Sequence, residues 1–174
     1  MMQKRHFAAV LLALLVSAPD DGWSQETVKG RGDAPVPWFD LGVSPIALEG
    51  SARPGVYLAS AGRRAIAMGT EDGRLELWSW PIKWLHDFQL SFRVPKYTTP
   101  IPGRDVARRV VVRPEGVTIE YAYETFTVKQ RIFAVLDQPA TIMLLEVDAV
   151  RPMEIVAEFS PDIHFAWPAS LGGQ

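Results

Sequence analysis

From Val56 onward apolar and polar residues alternate with a period of two, the signature of β-strands half buried on one face. Short candidate strands cover Val56–Ala59 and Arg64–Gly69. Thr70-Glu71-Asp72-Gly73 then reads as a type I turn with Gly73 in the left-handed position. The strand it feeds, Arg74–Trp80, puts Leu75, Leu77 and Ser79 on one face and Arg74, Glu76, Trp78 and Trp80 on the other. Pro81 is expected to end that strand or mark its edge. His86–Val94 alternates again, with Phe88, Leu90 and Phe92 on one side, and the proline-rich stretch Pro95–Pro102 reads as a loop. The clearest hairpin joins Ala107–Arg113 to Val117–Glu124 through Pro114-Glu115-Gly116. Pro114 presets φ for the turn, Gly116 is expected in the left-handed region, and Val117, Ile119, Tyr121 and Tyr123 share a face. Phe126–Leu136 and Ala140–Val150 are long, apolar on both faces and joined at Asp137-Gln138-Pro139, so they are expected in the middle of a sheet. Met153–Ser160 is the last strand, closed by Pro161. No helical i, i+3, i+4 stripe interrupts the series. About nine strands joined by hairpins predict an all-β, antiparallel β-sandwich.

The first 55 residues break this pattern. Lys4 and Arg5 precede an unbroken apolar run, Phe7–Val16, and small residues follow. That is the layout of a secretory signal peptide, and a run of ten is too short for a transmembrane anchor. Val16-Ser17-Ala18 and Gly22-Trp23-Ser24 both fit a cleavage site, and the second leaves Gln25 first. Residues 1–24 are therefore read as a leader, 25–55 as a Gly- and Pro-rich extended lead-in, and 56–174 as the sandwich. Export implies a periplasmic or secreted location. Arg31-Gly32-Asp33 reads as a turn in the lead-in.

Composition narrows the function classes. With 174 residues and 48% hydrophobic content, one folded domain is expected rather than disorder. The absence of cysteine excludes disulfides and thiolate metal sites. Eighteen basic against twenty acidic residues leave no surplus to neutralise phosphates, which argues against a nucleic-acid partner. His86 and His164, the histidines after the leader, have no metal-ligand spacing, and no nucleophile elbow is present. Glu71, Asp72, Glu76, Glu120 and Glu124 suit turns and solvent faces better than a glycosidic carboxylate pair. No catalytic residue, metal ligand or cofactor is assigned. Tryptophan is the unusual component: Trp78, Trp80 and Trp84 fall within seven residues, with Trp38 and Trp167 elsewhere. Such rings stack on the apolar faces of sugars, and they also fill cores and interfaces.

One segment carries a family likeness. The Gly62-Arg63-Arg64 strand start, the Asp72-Gly73 turn, the strand ending Trp78-Ser79-Trp80-Pro81 and the following Lys83 resemble the N-terminal β-sandwich of bacterial glycogen debranching (amylo-α-1,6-glucosidase-like) glycoside hydrolases. Phe159-Ser160-Pro161-Asp162 fits the same picture, and the likeness spans roughly residues 36–174. The resemblance implies a supersandwich placed before an (α/α)6 barrel, with the hydrolytic carboxylates on the barrel. It implies two partners, an α-glucan or other oligosaccharide and a helical catalytic domain of the same gene product. Trp78, Trp80, Trp84 and Trp167 are then the expected carbohydrate or domain contacts. The sequence departs from that pattern after residue 160, where no helical periodicity follows, so no catalytic residue carries over. On this reading the chain is a fragment of a longer product or a truncated, stand-alone sandwich. The apolar stretch His164–Pro168 is expected to dock on another domain or fold back on its own. Two alternatives stand beside it: a mutarotase-like enzyme, which needs a His/Glu acid–base couple, and a binding or assembly module of the cell envelope.

Overall fold

Two antiparallel sheets face each other across a single apolar core in the computed structural model, which describes residues 44–95 and 97–165. The sandwich is built from eleven strands rather than about nine. They are β1 (Leu48–Ser51), β2 (Tyr57–Ala61), β3 (Ala65–Thr70), β4 (Leu75–Ser79), β5 (Ile82–Arg93), β6 (Ile101–Pro102), β7 (Ala107–Arg113), β8 (Gly116–Tyr123), β9 (Phe126–Ala134), β10 (Thr141–Ala149) and β11 (Glu154–Phe165). A single helical turn, α1 (Gly103–Val106), precedes β7. Sheet A runs β1-β7-β8-β9-β10, and sheet B runs β11-β5-β4-β3-β2, with β6 pairing to β5.

The alternation read from the sequence decides which side chains enter the core. Leu75, Leu77 and Ser79 of β4 are buried while Glu76 and Trp78 are only partly so. Val117, Ile119 and Tyr121 of β8 are buried, and Tyr123 packs against them. Sheet B meets them with Phe88, Leu90 and Phe92. Phe92 lies between the layers, its ring centroid 5.4 Å from Tyr121 and 4.9 Å from Phe126. Tyr121 and Gln130 in this core are partnered. Tyr121 donates its hydroxyl to Gln130 Oε1 at 2.6 Å, and Gln130 Nε2 donates to Met143 Sδ at 2.9 Å. Pairing of this kind removes the penalty of burying an amide and a phenol.

Five expectations change. Leu48–Ser51, inside the expected lead-in, is an edge strand on β7. The expected loop Pro95–Pro102 ends in a short strand, Ile101–Pro102, and α1 after it leads the chain from sheet B to sheet A. Gly116 is not left-handed; among the described glycines Gly55 and Gly73 have positive φ. Pro114 and Glu115 alone form the loop, since Arg113 pairs with Gly116. Gly116 is required there because a Cβ would lie 2.5 Å from the Ile132 carbonyl oxygen. Of the two long strands expected in the middle, β9 is central but β10 is an edge. Finally, β11 does not stop at Pro161 but continues to Phe165. Proline is tolerated there because β11 is an edge strand with bulges on both sides of it. The leader, the first part of the lead-in and Trp167 lie outside the described residues.

Burial and the nearby Asp72 carboxylate push the Tyr121 phenol far above its usual pKa of 10.0. The unfolded phenol ionises near that value, and the buried one stays neutral. Its contribution to stability is therefore present below about pH 10 and is lost as pH rises further. The urea midpoint is expected to hold near neutrality and fall above about pH 10, with a shallower fall in Tyr121→Phe. Equal slopes in the two proteins would contradict this assignment.

Candidate functional site

The outer faces of the two sheets differ. On sheet A, register aligns Arg109, Glu120, Lys129 and Glu146 in one row across β7, β8, β9 and β10. Arg131 adds an ion pair to Glu146 at 2.7 Å. Alternating signs side by side make this a neutralised, solvated face. On sheet B, Lys83, which lies over Trp78, helps to line a polar groove of about 480 Å³.

Bulges build that groove. Leu85 and Phe88 of β5 are both buried although three residues apart, so one extra residue is accommodated between them. The pairing of β4 with β5 shifts there and again at Trp84, and the pairing of β11 with β5 shifts beside Asp162. A bulge inserts a residue, bends the strand and re-aims its side chains. Asp87 takes the strain of the first one, with φ of 54°.

Two linked groups of side chains result. Lys83, 17% exposed, holds Glu76 of β4 at 2.8 Å and Asp162 of β11 at 3.3 Å. Its hydrogen bond to Glu76 raises its pKa above 10.5, against the lowering effect of burial, with Asp162 adding to the rise. The ammonium also lies 5.5 Å from the centroid of the Trp78 ring, a cation–π contact. In the second group Arg74 binds the Asp87 carboxylate, whose other oxygen is 2.7 Å from His86 Nδ1. Arg74 first and His86 second hold Asp87 below the ordinary carboxylate range. With Nδ1 engaged by a carboxylate, the neutral imidazole presents Nε2 as its acceptor.

The tryptophans separate. Trp78 lies beneath Lys83, and its indole N–H is buried without a hydrogen-bond partner, so it supports the lysine rather than offering an open plate. Trp80 lies just past the end of β4, in the two-residue loop with Pro81. Its peptide bond to Pro81 is cis, and its backbone N–H donates to the Arg64 carbonyl at 3.0 Å. Its side chain is 58% exposed. Trp84, displaced by its bulge, packs against the core.

No family model, curated protein or solved structure matched the chain.

The Lys83 and His86 groups are the residues that sequence reasoning missed. Glu76 read as a solvent-face residue and His86 as a histidine without metal-ligand spacing. The available signal was spacing: core residues at Leu85 and Phe88 break strict alternation and mark a bulge. Among the described residues no cluster of His, Asp and Glu could hold a metal ion.

Proposed function

We propose that this chain is a non-catalytic, carbohydrate-associated β-sandwich of the debranching-hydrolase type, exported from the cytoplasm. Its sheet B contacts an α-glucan or related oligosaccharide beside a helical hydrolytic domain. The observation that carries the reading is the exposed Trp80, in the loop just past the end of β4. An aromatic plate takes the apolar face of a pyranose, and nearby charged side chains take its hydroxyls. The exposed apolar side chains of Phe159 and Ile163 on the β11 edge suit contact with a second domain.

Isothermal titration with malto-oligosaccharides tests the sugar contact. Wild type is expected to release heat, and Trp80→Ala to weaken binding by about tenfold, as for an exposed aromatic anchor. Trp78→Ala is expected to act through Lys83, and so to weaken binding less. A wild type without heat, or a Trp80→Ala variant that binds as wild type does, would sink the reading.

A further inference from the structure

The outer face of sheet A carries a second cavity, of about 330 Å³, lined from β1, β7, β8 and β9 and from the turn at Glu115. It exists because β8 presents two small residues outward, Gly116 and Thr118, between longer side chains on its neighbours. Thr118 is its middle. Register places Val111 of β7 and Arg131 of β9 directly across from Thr118. Arg109, Arg113 and Lys129 stand at diagonal positions, which long side chains can span. We infer that this cavity binds a small organic anion, through a carboxylate or phosphate group seated over Thr118. The site lies on the other sheet from Trp80 and does not rest on the α-glucan reading.

The placement of charge carries the inference. Four bases, Arg109, Arg113, Lys129 and Arg131, line the cavity against three acids, Glu49, Glu115 and Glu120. The face is neutral as a whole, yet most of its acids stand outside the ring of bases. Glu49, on β1, holds Arg109 and Arg113 from the strand farther from β8. Glu146, on β10, holds Arg131 from the far side in the same way. Glu115, in the turn, accepts the Ser44 N–H at 3.0 Å. Of these acids only Glu120 shares β8 with Thr118. The arginines are thus braced from behind, and a guanidinium has five N–H donors, more than one carboxylate takes up. Among the described residues Lys129 forms no ion pair and the Thr118 side chain no hydrogen bond, so an ammonium and a hydroxyl are open to the cavity. Charge-assisted hydrogen bonds from two strands can then converge on one set of oxygens. Val111 and Phe133 add apolar wall. The volume lies at the small end of the range for small-molecule pockets, which leaves room for a body of about a monosaccharide's size behind the anionic group.

Isothermal titration of the full chain with glucose 6-phosphate, glucuronate and glucose tests the site. Both anions are expected to bind at least about tenfold more tightly than glucose, and the tighter of the two names the group, phosphate or carboxylate, that the site takes. Lys129→Gln is expected to weaken the anions by about fivefold or more, while Lys129→Arg keeps most of the affinity. Thr118→Gln, which fills the cavity from an outward-facing position, is expected to remove binding. Glu120→Gln is expected to tighten binding by about twofold or more, because it removes a like charge beside the anion. Circular dichroism and the thermal midpoint check that each variant is folded. Anions that bind wild type no more tightly than glucose overturn the site. So does unchanged binding by folded Lys129→Gln and Thr118→Gln, or weaker binding by folded Glu120→Gln. Each of these failures leaves the sugar contact at Trp80 standing.

Discussion

Phe92→Ala is expected to cost about 3–5 kcal/mol of unfolding free energy, the largest loss from any single truncation considered. The ring is completely buried, and it bridges the sheets through Tyr121 and Phe126. Removing it takes away transfer free energy from β5 and leaves a cavity bordered by two rings that cannot both close over it. Phe92→Leu keeps most of the volume and is expected to cost below about 1.5 kcal/mol. Urea titration followed by tryptophan fluorescence gives both values. A Phe92→Ala loss no larger than that of Phe92→Leu would show that the sheets are not joined through this ring.

Gly73→Ala comes next, at about 2–4 kcal/mol. Two costs add at this position. Gly73 has φ of 91°, which a Cβ disfavours, and that Cβ would stand 2.1 Å from the Tyr121 hydroxyl oxygen. The hydroxyl has little room to yield, because it is buried and bonded to Gln130. A double-mutant cycle separates the two costs. In a Tyr121→Phe background the collision is reduced and the backbone cost remains, so a coupling of about 1 kcal/mol is expected. Strict additivity would assign the whole loss to the backbone.

How much could be read in advance depended on whether a feature was local. Alternation along Leu75–Ser79 and Gly116–Tyr123 placed the core residues correctly, because each strand buries one face against the opposite sheet. The Gly73 turn was legible for the same reason, as four adjacent residues determine it. Pro81 was expected to end its strand or mark an edge, and β4 does stop just before it, at Ser79, with Trp80 and Pro81 forming the loop into β5. A second proline misled. Pro161 was expected to stop β11, but it occupies an edge, where a missing N–H costs nothing. Edge or centre is a property of pairing, which no single strand declares. The same limit hid the groove. Trp78, Trp80 and Trp84 are near in sequence, but a bulge turns Trp84 toward the core and brings Lys83 over Trp78. Asp162 reaches Lys83 from a strand about eighty residues later in the chain. Side-chain chemistry assembled across strands cannot be seen in a pattern of period two.

The irregular course of β11 has a consequence for behaviour at high concentration. A long, flat strand at the rim of a sheet invites another chain to extend the sheet, which is how edge-to-edge aggregation begins. Here that rim lacks the Pro161 amide proton, and its pairing is interrupted on both sides of the proline. Past Glu158 an incoming strand would meet no continuous register to copy. The departures that seat Asp162 beside Lys83 thus also make the later half of this edge a poor template for another chain.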